Sequence, residues 1–146
     1  MVRTPSMNYQ DSNRGKIQNR GRARQIIDFS GLRYGNITPT DIDGLIEYHD
    51  KAVLFMEFKY RDAQVPQGQL MAIARLVTNC HLAGKGAAAF ICQHDVDDYE
   101  KDIDAANTTV RTIILPYYRI KISDGRTLKK ATDAFFNWID TTGGFQ

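Results

Sequence analysis

The chain has 146 residues, of which 42% are hydrophobic and 25% charged, a composition typical of one soluble globular domain. No run approaches 18 apolar residues, and the N-terminus lacks the apolar segment of a secretory signal, so we expect no membrane partner and a cytoplasmic location. Cys80 and Cys92 lack the spacings of a zinc site, which predicts reduced, buried thiols.

The net charge of +2 is unevenly distributed along the chain. Residues 1–27 carry six cations against the single acid Asp11, a net +5, which leaves the remainder at about −3. We predict that residues 1–20 form a basic, flexible arm on a single domain, residues 21–146. A cation placed on a phosphate releases condensed counterions, so the nucleic-acid contacts predicted here are Arg20, Arg22 and Arg24. A solvated, partly disordered tail is the alternative.

The first predicted elements are a short helix over residues 22–29, which Gly31 would end, and a β-hairpin. Residues 42–48 and 52–60 are rich in β-branched and aromatic residues, and the three polar residues between them predict the turn.

The second half of the chain predicts a helix, two strand regions and a helix. Pro66 would begin a helix ending near Gly84, because apolar residues recur at helical spacing between them. The apolar run 86–92 predicts a buried strand, and residues 110–122 predict another strand region that Pro116 interrupts. Apolar residues at helical spacing over 128–139 predict a C-terminal amphipathic helix. This order of elements indicates an α/β fold.

The triplet Glu57-Phe58-Lys59 is the only Asp/Glu-x-Lys in the chain, and it lies in an apolar strand. Side chains alternate along a strand, so Glu57 and Lys59 share one face. If the hairpin turns about Asp50, opposed residue numbers sum to 100, and Asp43 lies across from Glu57 with Cβ atoms about 4.5–5.5 Å apart. A loop of two residues would move Asp43 to the other face. Two carboxylates this close favour a divalent cation, so Asp43 and Glu57 are the predicted metal ligands.

The chemistry that follows from this cluster is phosphodiester hydrolysis. It needs an activated water and stabilisation of developing negative charge, both of which Mg²⁺ supplies. Lys59 would orient or help deprotonate the water and stabilise the transition state. The alternative is a cross-strand salt-bridge cluster on a solvated face.

Several other residues are candidates with a structural alternative. Asp41 is a possible helper beside Asp43, although it could equally end a loop before the strand. His94 could reach the same end of the sheet, and a structural or surface role is the alternative. A third group interleaves rings and cations that could contact bases and phosphates, but we expect it to pack on the sheet: Tyr117, Tyr118, Arg119 and Lys121.

At these residues the sequence resembles the PD-(D/E)xK nuclease superfamily, and in particular small phage-encoded members. The resemblance spans roughly residues 28–104 and rests on residues 40–44 (TDIDG), 57–59 (EFK) and 68–69 (GQ). It implies a restriction-endonuclease-like αβββαβ core, with a mixed sheet flanked by helices, and a catalytic set of Asp43, Glu57, Lys59 and Gln69. It also implies Mg²⁺ as cofactor, with Mn²⁺ as a substitute, and a host-cytoplasmic location if the chain is phage-encoded. In this sequence Pro39 does not immediately precede the metal-binding Asp.

The predicted function is a Mg²⁺-dependent nuclease that acts on DNA, either generally or on particular DNA structures. The alternatives are a catalytically silent nucleic-acid-binding module on the same fold and an interaction protein whose charged cluster is structural. By analogy with enzymes that act on two-fold substrates, a homodimer is possible.

Overall fold

The computed structural model describes residues 15–143, which divide into two compact units between Pro39 and Thr40. In the first unit, the described residues form helix α1 (Arg20–Ala23), a 3₁₀ turn (Ser30–Leu32) and an isolated bridge between Tyr34 and Ile37. The sequence placed the boundary after residue 20, and most of that predicted arm lies outside the described residues.

The helix predicted over residues 22–29 is not present, because α1 ends at Ala23. Ile26 and Ile27 are β-branched and exposed, so no packing offsets their low helix propensity. Asp28 Oδ1 instead accepts hydrogen bonds from the backbone N–H and the hydroxyl of Ser30, at 3.0 and 2.7 Å. This local turn competes with a helix for the same backbone groups.

The second unit is a five-stranded mixed sheet flanked by helices, which confirms the α/β class. The strands lie in chain order, with the second and third parallel and the other neighbours antiparallel. They are β1 (Gly44–Tyr48), β2 (Ala52–Tyr60), β3 (Gly86–His94), β4 (Thr109–Leu115) and β5 (Tyr118–Lys121). Helix α2 (Gln67–Leu82) connects β2 to β3, and α3 (Leu128–Thr142) follows β5. In the described residues, two strands precede α2, whereas the αβββαβ core has three.

The hairpin between β1 and β2 has the predicted register. Gly44 is opposite Met56 and Tyr48 is opposite Ala52, so the paired residue numbers sum to 100. The turn has three residues, and its members His49 and Asp50 adopt left-handed backbone angles, with φ of 52° and 59°. Lys85 Nζ donates to the carbonyl and the carboxylate of Asp50, at 2.6 and 2.7 Å. The odd turn is therefore held in place by the start of β3.

Each face of the sheet carries one apolar core. Helix α2 packs Ile73 and Val77 against one face, together with Phe55, Ile91 and Ile114. Helix α3 packs against the other face, where the buried residues include Leu54, Phe90, Phe135 and Ile139. None of the helices in residues 15–143 has the length and apolar composition needed to cross a membrane.

Candidate active site

Glu57 is a buried acid on the face of β2 that α2 covers. Only 3% of the residue is exposed, and its Oε1 lies 3.2 Å from Lys59 Nζ. The other oxygen, Oε2, is buried and has no hydrogen-bond partner among the described residues. An ionised carboxylate rarely remains buried with an unsatisfied oxygen, because desolvation is costly. The position of Glu57 therefore suits a cationic or donating group bound at Oε2.

Asp43 lies one residue before β1 and is bound to β2. Its Oδ2 accepts a 2.8 Å hydrogen bond from the backbone N–H of Phe58. Because Gly44 pairs with Met56, continuing the same register brings Asp43 opposite Glu57, as the turn about Asp50 predicted. The structure thus places Glu57 on β2 and Asp43 directly before the neighbouring strand β1, with the Asp43 carboxylate fixed by a backbone donor.

The two acids interact electrostatically. Burial first, and then the charge of Asp43, raise the pKa of Glu57 above its ordinary value, while Lys59 and Gln69 act in the opposite direction. The net rise means that the protein alone does not compensate the Glu57 charge. A bound cation would supply the compensation that Lys59 provides only in part.

Gln69 connects the lysine to the segment that carries Asp43. Lys59 Nζ donates to Gln69 Oε1 at 3.5 Å, and Gln69 Nε2 donates to the backbone carbonyl of Asp41 at 3.2 Å. Gln69 is in the first turn of α2, which begins directly after Pro66 in an extended conformation. The structure therefore brings together the four predicted catalytic residues. The backbone carbonyl of Asp41 also belongs to this cluster, because it accepts the hydrogen bond from Gln69.

Two of the possible site residues are placed differently. Asp41 precedes β1 and is exposed, and the contact that it makes with the cluster is through its backbone carbonyl, which accepts from Gln69. His94 pairs with Tyr60 in the register of β2 and β3, and alternation puts both on the face opposite Glu57. Its Nδ1 accepts a 3.1 Å hydrogen bond from the Val96 backbone, which is a structural role.

The predicted nucleic-acid contacts Arg20, Arg22 and Arg24 belong to the first unit. All three are exposed, and the first two are within α1.

Gln93 is a neighbour of the site that the sequence did not indicate. It is the parallel partner of Lys59 on β3, so alternation places it on the same face, half-buried beside the lysine. Only the register reveals this amide, because in the sequence it is one polar residue after an apolar run. Its position suits it to contact a group bound at Lys59.

The donor set fits a cation that keeps several waters. No cluster of three or more His, Cys, Asp or Glu side chains suited to a metal occurs within residues 15–143. Mg²⁺ is commonly held by only one or two carboxylates with water completing its octahedron, and Asp43 and Glu57 supply two. The unsatisfied Oε2 of Glu57 is the observation that favours this fit.

Comparison with known proteins adds no relative: no protein-family model, no curated protein and no solved structure matches this chain. The fold defines the class, an α/β protein with a five-stranded mixed sheet flanked by helices. A functional assignment therefore depends on the chemistry of the acidic cluster.

Proposed function

We propose that this protein is a Mg²⁺-dependent nuclease that hydrolyses phosphodiester bonds of DNA. The observation that carries the proposal is the buried Glu57, whose Oε2 has no partner in the described residues while Asp43 and Lys59 adjoin it. This cluster keeps one carboxylate oxygen without a hydrogen bond beside a lysine, which suits a site for a metal and a phosphate.

Asp43 and Glu57 would hold the metal. Magnesium bound there would supply charge that offsets the repulsion between the acids, lower the pKa of water and neutralise phosphate oxygens. Asp43 is suited to this role because the Phe58 N–H fixes its Oδ2, so the carboxylate loses little freedom on binding.

Lys59 would act on the reacting groups. Its side chain is 20% exposed, and Glu57 Oε1 lies 3.2 Å from its ammonium. From there it can donate a hydrogen bond to a phosphate oxygen or orient the attacking water. Gln69 keeps the ammonium directed toward Glu57 and binds the segment before Asp43, which makes it a positioning residue.

The restriction-endonuclease-like core is part of this proposal. The hairpin carrying Asp43 and Glu57, followed by α2 with Gln69, supports it, while the two strands before α2 depart from the αβββαβ order. A catalytically silent nucleic-acid-binding module is the second candidate. Against it, two carboxylates without a metal would repel a polyanion.

The proposal is tested by a cleavage panel. Single-stranded, duplex, flapped and four-way DNA would be incubated with wild type in Mg²⁺, Mn²⁺ or EDTA, beside Lys59→Ala. Lys129→Ala is the matched control, because this exposed lysine pairs with Asp133 on α3. We expect wild type and the control to cut with either metal and Lys59→Ala to be inactive. If wild type cuts nothing, or Lys59→Ala cuts equally well, the protein is not this nuclease.

A metal-binding experiment distinguishes a metal site from a charged cluster that is only structural. Mn²⁺ would be titrated into wild type and Glu57→Ala, with binding followed by calorimetry. Loss of binding in the variant supports a metal site, whereas equal binding, or none in either protein, identifies the cluster as structural.

A further inference from the structure

A groove lies between α2 and the hairpin of β4 and β5, away from the candidate active site. Its cavity volume is about 270 Å³, and Leu70, Ala74 and Thr78 form its α2 side. The hairpin contributes Ile114, Tyr117 and Arg119 among others. The groove shares a sheet face with Glu57 but lies on the β5 side of α2, whereas Gln69 contacts the β1 side.

Cations accompany this groove and acids do not: Arg119 lines it, and Lys121 lies two residues further along β5. Neither α2 nor residues 109–122 contain an Asp or Glu. Arg119 pairs with Ile114, and Lys121 pairs with Thr112, so alternation directs both cations to the face that α2 covers. Neither cation has an acidic partner in the part of the chain that the structure describes. These charges are available to a polyanion.

Two tyrosines at the groove present aromatic rings to solvent. Tyr117 is 71% exposed and Tyr118 is 57% exposed, so the expected packing on the sheet is wrong for both. Tyr117 has a φ of 74°, a left-handed conformation that is rare for a bulky residue. Its backbone N–H donates to Thr78 Oγ1 at 3.4 Å, and its ring meets the ring of His81 edge-on. The turn holds a strained residue at the mouth of the groove.

We propose that this groove binds unpaired nucleotides of a single-stranded polynucleotide. Exposed rings beside cations can stack on bases and hold the adjoining phosphates, and only unpaired bases expose their faces. The volume is slightly below the range of ordinary small-molecule sites, about 300–1,000 Å³, and suits a base or two.

This inference rests on the proposed function and names its substrate class. Glu57, Ile91, Thr112 and Lys121 form one row across four adjacent strands, so Lys121 lies about 14 Å from Glu57. A nucleic acid cut at Glu57 would therefore place a different segment in the groove. The substrate class is DNA with an unpaired tail or flap next to the cleaved bond.

Binding can be measured without cleavage. Fluorescence anisotropy in EDTA would compare a labelled oligothymidylate with a blunt duplex, using wild type and Arg119→Ala, Lys121→Ala and Tyr117→Asn. Asn tolerates a positive φ, so Tyr117→Asn removes the ring without adding strain. Tyr99→Asn and Lys129→Ala are the controls, since Tyr99 is 91% exposed in a loop and Lys129 is on α3.

We expect Tyr117→Asn to weaken single-strand binding by about 5- to 150-fold, the effect of losing one stacked base. Each cation variant should lower the slope of log affinity against log salt by about 0.7. The controls should bind as wild type. Preference for the duplex, or an equal loss in Tyr99→Asn, would overturn the inference.

Cleavage assays distinguish failure of this inference from failure of the proposed function. One outcome is that wild type cuts DNA and the groove variants keep its ratio of cleavage rates on tailed and blunt duplexes. The groove inference then fails, and the proposed nuclease function stands. If wild type never cuts but single-strand binding depends on Tyr117 and Arg119, the groove stands and the nuclease fails.

Discussion

Asp43 and Phe58 are joined by a 2.8 Å hydrogen bond from a backbone N–H to a carboxylate oxygen. The bond attaches the segment before β1 to β2 immediately after Glu57, so the side chain that we propose as a metal ligand also has a structural contact. Its charge and its acceptor oxygen can be tested separately.

Asp43→Asn should preserve the fold and remove metal binding. The asparagine carbonyl can still accept from Phe58, whereas Asp43→Ala also loses the bond and should reduce the free energy of unfolding by about 1 kcal/mol. Urea denaturation would measure stability and calorimetry would measure Mn²⁺ affinity. Unchanged Mn²⁺ affinity in Asp43→Asn would remove Asp43 from the proposed ligands.

Glu57→Gln should stabilise the metal-free protein at neutral pH. The pKa of Glu57 is raised in the folded state, so as pH rises above the ordinary glutamate value the unfolded chain releases its proton first. Stability therefore falls between the ordinary pKa and the raised one, and Gln avoids this loss.

Thermal unfolding in EDTA would test the pH effect, with wild type and Glu57→Gln compared at pH 4 and pH 7. The variant should melt higher than wild type at pH 7, where only wild type carries the buried charge, by about 2–4 °C for each kcal/mol of destabilisation. At pH 4 the difference should disappear. The same difference in melting temperature at both pH values would mean that neighbouring groups fully compensate the charge of Glu57.

Gln69→Ala should reduce cleavage with little effect on stability. It removes the contacts to Lys59 and to the Asp41 carbonyl, and loss of a residue that supports a reacting group typically costs about 10- to 100-fold. Gln67→Ala is the matched control, an exposed glutamine in the same helical turn. Equal activity in the two variants would show that Gln69 does not position Lys59.

Gly86→Ala and Gly68→Ala should change stability in opposite directions. A Cβ at Gly86 would clash with the side chain of Ile139 on α3, and overpacking costs about 1–3 kcal/mol. A Cβ at Gly68 meets nothing within 4 Å, and alanine in α2 should stabilise by up to about 1 kcal/mol. Chemical denaturation would measure both. Unchanged stability in Gly86→Ala would indicate that α3 can move away from β3.

The hairpin and the acidic pair were predictable because alternation and loop length are local properties. A turn of three residues about Asp50 determines which residues face each other, and the observed register agrees. The helix over 22–29 was not predictable, since its failure depends on missing tertiary packing for Ile26 and Ile27. The positions of Gln93 and Arg119 on the sheet follow from pairing between distant strands, which no local pattern contains.

The contacts of Arg111 likewise could not be predicted from a local sequence pattern. It lies at the irregularity between β3 and β4, where the register shifts between Ile91 and Cys92. Its guanidinium donates to the carbonyl of Arg61 at 3.1 Å and to that of Ala63, in the loop between β2 and α2. Bulges redirect side chains in this way, and their positions depend on the partner strand.

The three-residue turn of the first hairpin has an evolutionary consequence. With this register, any residue facing Glu57 across the strands must be separated from it by an even number of positions. A single inserted or deleted residue in the turn would reverse the face that Asp43 occupies, although no side chain of the cluster had changed. Homologues that retain the site should therefore vary this turn only in steps of two, a parity rule by which they can be recognised.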